Sequence, residues 1–144
     1  MAKRIMFVCT GNSARSQMAE GLARALGGNQ VEVFSAGLEP KGLHPVAVGV
    51  MKEIGIDISS QTSKLIDPDL IRTMDIVVTL CGDARDRCPV LPPGTVHIHW
   101  PLPDPAAVEG SEAEVREAFR RVRSKLQELV TGLLQNGKDA VSKA

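Results

Sequence analysis

The sequence predicts an α/β fold: a three-layer sandwich in which helices flank a four-stranded parallel sheet. Short apolar runs alternate with amphipathic segments along the chain, which is typical of parallel sheets. The length of 144 residues suits one domain with a well-buried core. We expect a single catalytic domain over residues 1–136 and a disordered tail over residues 137–144.

Four apolar runs are the predicted strands. RIMFV at 4–8 is short and apolar, and residues 30–35 alternate apolar with polar side chains. DIVVTLC at 75–81 is a continuous apolar run, as in strands that helices cover on both faces. A shorter run, TVHIHW, occupies residues 95–100. We expect the connections between parallel neighbours to be right-handed.

Helical periodicity marks four further segments, at residues 13–27, 44–54, 68–73 and 111–135. In the first of them, Met18, Leu22 and Leu26 form one apolar stripe. The last carries a longer inner stripe, made of Val115, Phe119, Val122, Leu126, Leu129 and Leu133. We expect the arginines of this helix, within REAFRRVRSK, to lie on its solvent side.

Composition excludes several classes of partner. Acidic and basic side chains number 17 each, so the charge balance favours neither nucleic acid nor a membrane surface. No apolar run reaches the ~18 residues that a membrane-spanning helix needs, and the N-terminus lacks the plan of a signal peptide. We therefore expect a cytoplasmic monomer whose three cysteines are reduced at rest.

The segment CTGNSARS, at 9–16, joins the first predicted strand to the first helix. Ligand sites of parallel sheets form beyond the carboxyl ends of strands, where a helix N-terminus offers unpaired N–H groups to an anion. Gly11 permits close backbone approach, Asn12 tolerates a left-handed conformation, and Arg15 can clamp two oxygens. The predicted oxyanion-binding loop consists of Thr10, Gly11, Asn12, Ser13, Ala14, Arg15 and Ser16.

Cys9 ends the first predicted strand at the mouth of this loop. A helix N-terminus and a nearby arginine both favour the thiolate form of a cysteine, and Ser16 can donate a hydrogen bond to it. We therefore predict a nucleophile that is ionised at neutral pH. The alternative is a buried core cysteine beside an ordinary strand-to-helix turn.

Cys81 ends the third predicted strand, and Cys88 follows seven residues later. If the first and third strands are neighbours, Cys9 and Cys81 lie at one edge of the sheet. Were the segment between Cys81 and Cys88 helical, their Cα atoms would lie ~10 Å apart, beyond the ~7 Å that a disulfide tolerates. We interpret the pair as a redox element that unwinds on oxidation. Two unrelated cysteines, or a zinc site with unusual ligand spacing, are the alternatives.

Three motifs in order carry a resemblance to a known family. The C-x5-R-S loop resembles that of the low-molecular-weight protein tyrosine phosphatase superfamily. Together with TLCGDARDRCP and HWPLPDPA, it resembles the thioredoxin-coupled arsenate reductases over residues 3–123. The resemblance implies Cys9 as nucleophile and Arg15 as oxyanion clamp. It also implies Asn12 and Ser16 as loop organisers and Ser35 as the residue that braces the loop.

The same resemblance implies a relay of three cysteines. Cys9 attacks arsenate with Asp104 as the proposed acid, Cys81 attacks the adduct and releases arsenite, and Cys88 then attacks Cys81. Thioredoxin, the external reductant, restores the Cys81–Cys88 disulfide to thiols. No bound cofactor and no metal are expected. Phosphate and sulfate should bind as analogues, although thiols do not reduce phosphate. For Asp104 the alternative is an ordinary turn aspartate before proline.

Departures from the family pattern add further expectations. Pro101, Leu102 and Pro103 precede the acid where relatives often carry GFD, which predicts a stiffer loop, and Ala14 replaces a further cysteine of many relatives. Lys64 stands where some relatives use an aspartate to bind potassium, so we expect its ammonium group to substitute for that cation. His97 and His99 have the spacing of metal ligands, but no third ligand is in view.

Two other functions remain open. A low-molecular-weight protein tyrosine phosphatase, hydrolysing phosphate monoesters, would use the same loop. Such enzymes usually place aromatic residues around the pocket, and this chain has no tyrosine. A non-enzymatic protein that binds oxyanions or senses redox state would also carry these residues.

Overall fold

Four parallel strands form the central sheet of the computed structural model, which describes residues 2–136; the predicted tail at 137–144 lies outside the described residues. The strands are β1 (Lys3–Cys9), β2 (Val31–Gly37), β3 (Ile76–Thr79) and β4 (Val96–His99). Their spatial order is β2-β1-β3-β4, and every neighbouring pair is parallel. The predicted α/β class with a four-stranded parallel sheet is confirmed.

In the described part of the chain, five α-helices cover the two faces of the sheet: α1 (Arg15–Gly27), α2 (Pro45–Lys52), α3 (Pro68–Ile71), α4 (Gly82–Arg87) and α5 (Glu112–Asn136). Side chains alternate along each strand, so Phe7 points into the core shared with α1, α2 and α5. Met6 and Val8 point into the smaller core that α3 and α4 cover. Short 3-10 helices occupy Gly28–Gln30 and Pro105–Ala107.

The first helix begins two residues later than predicted, because residues before Arg15 form a loop. Leu26, predicted on its apolar stripe, is 49% exposed. Successive steps of four residues advance ~40° around a helix, so Leu26 lies ~80° away from Met18. The last turn of α1 is exposed, and the buried stripe ends at Ala23.

One expectation about α5 is wrong. Arg123 does not lie on the solvent side: its side chain is 14% exposed, donates to the Val50 carbonyl oxygen (2.7 Å) and pairs with Glu53 (2.8 Å). Arg120 also pairs with Glu53 (2.6 Å). The reason is that α2 packs against α5, and the C-terminal end of α2 supplies acceptors to these arginines. Hydrogen bonds from Arg120 and Arg123 lower the pKa of Glu53 to about 2.

Within residues 2–136, no helix has both the length and the apolar character needed to cross a membrane.

Candidate active site

A cavity of about 470 Å³ opens beyond the carboxyl end of β1, at the predicted oxyanion-binding loop. A segment that we call the strap, residues 38–44, runs around the outside of this loop. Three loop carbonyls accept hydrogen bonds from strap amides: Thr10 from Glu39 (2.8 Å), Gly11 from Lys41 (2.9 Å) and Ser13 from His44 (3.0 Å). Because these carbonyls are satisfied on the outside, the loop amides are left to face an anion in the cavity.

Asn12 is buried and holds the loop together from within. Its backbone is left-handed, with φ 44°. The side-chain amide donates to Ser16 Oγ (2.7 Å) and Ser35 Oγ (2.9 Å), while Oδ1 accepts from the Lys64 amide (2.8 Å). The residues predicted to organise and brace the loop therefore meet at one point.

Gly37 is a loop contact that sequence reasoning missed. It ends β2 beside the loop, and a Cβ there would lie 2.7 Å from the Asn12 nitrogen and 2.8 Å from the Thr10 oxygen. Only glycine fits this approach of two backbones. Gly37 ends the tripeptide SAG at 35–37, of which the resemblance implied a role for Ser35 alone.

Cys9 lines the cavity with its thiol 2.9 Å from Ser16 Oγ. The Ser16 oxygen already accepts the Asn12 amide hydrogen, so its own hydrogen is free to be donated to the Cys9 sulfur. Such a donor stabilises a thiolate. The arrangement therefore suits the predicted ionised nucleophile.

Arg15 and Asp104 both line the cavity. Arg15 Nη1 donates to the Leu102 carbonyl oxygen (3.0 Å), and Nη2 lies 3.9 Å from Asp104 Oδ2. Asp104 Oδ1 accepts the Ala106 amide hydrogen (3.0 Å), which leaves Oδ2 facing Arg15. A guanidinium group and a carboxyl group thus face the same space above Cys9.

Cys81 lies beside the loop, as the pairing of β1 with β3 requires. Its sulfur is 3.2 Å from the Thr10 hydroxyl, a contact that the sequence did not indicate. The sulfur also accepts the Ala84 amide hydrogen (3.3 Å), so Cys81 caps the N-terminus of α4. Both contacts favour negative charge on this sulfur.

Cys88 follows the last residue of α4, and all three cysteines are free thiols. The intervening helix, which periodicity did not predict, separates Cys81 from Cys88 by ~10 Å along its axis. Burial raises the pKa of the half-buried Cys88 thiol. Exposed ion pairs from Arg87 to Asp83 (3.2 Å) and Glu39 (3.4 Å) hold α4 only weakly.

Lys41 and His44 also line the cavity, and sequence reasoning missed both. They belong to the strap, which approaches the loop across a long interval of sequence. Burial lowers the pKa of His44, against the raising effect of the Asp104 charge.

Lys64 contacts the loop through its backbone amide, which donates to Asn12 Oδ1. Nζ donates to the Thr62 carbonyl oxygen, and the nearby Glu20 charge partly offsets the burial that lowers the Lys64 pKa. Gln17 Nε2 links the Asn12 and Thr62 carbonyl oxygens (3.0 and 2.9 Å). The predicted exclusion of potassium stays a prediction.

His97 and His99 both contact the buried Thr79 hydroxyl, through Nε2 (3.1 Å) and Nδ1 (2.9 Å) respectively. Over residues 2–136, histidine, cysteine and acidic side chains form no cluster of three that suits a metal ion.

Comparison with known proteins gives consistent matches. Residues 4–143 match the family model for low molecular weight phosphotyrosine protein phosphatases. The arsenate reductase of Bacillus licheniformis is 51% identical over 135 residues, which cover 94% of this chain and 97% of that protein.

Two solved structures extend the comparison. A structure described as an arsenate reductase in the phosphate binding state is 40% identical, with TM-score 0.73 and coverage of 92% and 97% of the two chains. The thioredoxin-dependent arsenate reductase of Corynebacterium glutamicum is 32% identical, with TM-score 0.73. That match covers 93% of this chain and 62% of the other.

Proposed function

This chain belongs to the low-molecular-weight phosphotyrosine protein phosphatase family, and we propose that within it the chain acts as an arsenate reductase. The proposed reductant is thioredoxin, acting in the cytoplasm on a monomeric enzyme. The observation that carries the proposal is the Cys81 sulfur, 3.2 Å from the hydroxyl of Thr10 in the Cys9 loop. A phosphatase of this type needs one cysteine, whereas the reduction of arsenate requires a second thiol to form a disulfide with the first.

The first step uses Cys9, Arg15 and Asp104. Loop amides and the Arg15 guanidinium bind the arsenate oxygens, and the Cys9 thiolate attacks arsenic. An As–S bond forms, an As–O bond breaks, and Asp104 supplies the proton with which the oxygen leaves as water. Oxidation state does not change in this step, so arsenic remains As(V). Donors aimed at the developing charge are the main physical source of rate in such a site.

The second step transfers electrons. The Cys81 thiolate attacks the Cys9 sulfur, an S–S bond forms, and the electron pair of the As–S bond passes to arsenic. Arsenic becomes As(III) and leaves as arsenite. The cap position of Cys81 and its contact with Thr10 support the ionised form that this attack requires.

The third step requires α4 to open. Cys88 attacks the Cys81 sulfur and releases Cys9, but the two positions stand ~10 Å apart while α4 is intact. Exposed ion pairs add little to the stability of a helix, so unwinding the six residues of α4 costs little free energy. Thioredoxin then reduces the Cys81–Cys88 disulfide to two thiols.

The test is arsenate-dependent oxidation of NADPH in the presence of thioredoxin and thioredoxin reductase. We expect Cys81→Ser to stop multiple turnover while p-nitrophenyl phosphate hydrolysis continues, and Cys9→Ser to stop both. Mass spectrometry after one equivalent of arsenate should find a Cys81–Cys88 disulfide. If Cys81→Ser still turns over arsenate, the relay is wrong.

The second candidate function is that of a phosphatase. Cys9, Arg15 and Asp104 around one cavity suit a phosphate monoester as well as arsenate, which favours at least residual activity of this kind. If phosphomonoester hydrolysis is efficient and arsenate causes no NADPH oxidation, the chain is a phosphatase instead.

A further inference from the structure

The imidazole ring of His44 is fixed by three different parts of the fold. Its backbone amide donates to the Ser13 carbonyl of the oxyanion loop (3.0 Å). Its Nδ1 accepts the Val46 amide hydrogen (3.1 Å) and so caps α2. The ring packs on Phe119 of α5, with centroids 4.8 Å apart. The ring therefore has little freedom to turn.

These contacts decide which ring nitrogen carries the hydrogen. Because Nδ1 accepts an amide hydrogen, the neutral ring bears its hydrogen on Nε2, its one remaining polar atom. Burial lowers the pKa of His44, which favours the neutral ring. Protonating Nδ1 would also break the bond to Val46. His44 is therefore a neutral donor rather than a group that exchanges protons.

Asp104 is the carboxyl group that lines this cavity, and it can accept from this donor. Both residues line the cavity; burial lowers the pKa of His44 on balance, and the Asp104 charge acts in the opposite, raising direction. The other ionisable groups that line the cavity are Cys9, Arg15 and Lys41. Two of these are cations and cannot accept, and Cys9 is already paired with Ser16.

The loop that carries Asp104 needs such a contact, because Arg15, which faces Asp104, must also bind the substrate. In this structure Arg15 donates to the Leu102 carbonyl oxygen and faces Asp104 at 3.9 Å. When Arg15 turns to bind an oxyanion, its interaction with Asp104 weakens, and this happens in the step in which Asp104 must donate its proton. His44 is anchored to the oxyanion loop and does not bind the substrate, so its interaction with Asp104 can persist when the oxyanion binds.

We propose that His44 is a positioning residue: once Arg15 turns to the oxyanion, the Nε2–H group of His44 donates to the Asp104 carboxyl group and holds it over the oxyanion cavity. This inference rests on the proposed function, in which Asp104 donates a proton. It assigns His44 no contact with arsenic and no proton transfer of its own.

The first test is independent of turnover. Long-range ¹H–¹⁵N NMR of the imidazole rings should find the Nε2–H tautomer for His44. In Asp104→Asn the pKa of His44 should fall, because the carboxylate that raises it is gone. His97, whose pKa responds to burial and His99, serves as the internal control and should not move. An Nδ1–H tautomer, or a His44 titration indifferent to Asp104→Asn, overturns the proposal even if arsenate is reduced.

The second test separates positioning from binding. His44→Asn keeps a side chain that caps α2 but removes the ring. We expect kcat to fall about tenfold, a fraction of what a general acid contributes, while phosphate affinity stays within about twofold. In an Asp104→Asn background the same substitution should cost nothing further.

A control variant and two contrary outcomes complete the test of His44. His97→Asn should leave kcat unchanged, since His97 lies outside the cavity lining. If His44→Asn lowers kcat equally with and without Asp104, or weakens phosphate binding instead, the proposal fails. Should the chain prove to be a phosphatase, p-nitrophenyl phosphate hydrolysis gives the same readout, and a failed arsenate assay leaves this test intact.

Discussion

Gly37→Ala tests whether the close approach of β2 shapes the oxyanion loop. The new methyl group would lie 2.7 Å from the Asn12 nitrogen and 2.8 Å from the Thr10 oxygen, both backbone atoms. Real Cβ contacts essentially never fall below 3.0 Å, so the loop must shift by at least about 0.3 Å. Overpacking of this kind costs ~1–3 kcal/mol. In a chain of this size that lowers Tm by roughly 3–10 °C.

Thermal unfolding monitored by circular dichroism measures the stability, and phosphate titration by calorimetry measures the site. We expect both to decline together, with phosphate affinity reduced at least about tenfold because the loop amides no longer converge. Gly49→Ala is the matched control: Gly49 lies in α2, and a Cβ there meets nothing within 4 Å. It should raise stability by ~0.5–1 kcal/mol. If Gly37→Ala matches wild type in Tm and phosphate affinity, the loop does not depend on this approach.

Four further outcomes follow from the contacts. Glu53, with a pKa of about 2, contributes stability above pH ~4.5 that is lost as pH falls toward 2; the Tm values of wild type and Glu53→Gln should therefore converge near pH 2, and a constant difference would contradict this. Thr10→Val should slow arsenite release about fivefold, the worth of one hydrogen bond, without changing alkylation of Cys9 by iodoacetamide. If the Lys64 ammonium group takes the place of a potassium ion, Tm should be equal in KCl and NaCl; a rise specific to potassium would refute this substitution. Gly82→Ala has room for its Cβ, with the nearest atom 3.8 Å away in Arg85; by favouring helix it should slow formation of the Cys81–Cys88 disulfide a few-fold, and an unchanged rate would mean that α4 does not limit this step.

The parts of the site that the sequence predicted are those that lie close together along the chain. The loop from Cys9 to Ser16 is continuous, so its anion-binding character follows from local backbone chemistry. The placement of Cys81 required one longer inference, that β1 and β3 are neighbours. That pairing is confirmed, and it brings Cys81 to the edge of the loop.

The parts of the site that the sequence did not predict depend on contacts between residues that are far apart along the chain. The strap shapes the loop through backbone amides, which carry no residue-specific signal. Gly37 appeared as part of a tripeptide, and nothing in its neighbours indicated that two backbones would meet there. His44 looked like an ordinary first-turn residue before Pro45, because its role as a cavity wall depends on Phe119 and Asp104. Arg123 was misplaced for the same reason, since its acceptors belong to α2.

Burial of Cys88 gives the proposed relay an order. While α4 is intact, its length keeps Cys88 away from Cys81, and burial raises the pKa of the Cys88 thiol, which disfavours its thiolate. Cys81 has the opposite surroundings, because the Ala84 amide and the Thr10 hydroxyl both favour its thiolate. In the proposed relay, we therefore expect the first disulfide to form with Cys9. Oxidation of Cys81 removes the charge that the N-terminus of α4 stabilised, and loss of that cap weakens the helix that separates it from Cys88. Each exchange thus creates the condition for the next.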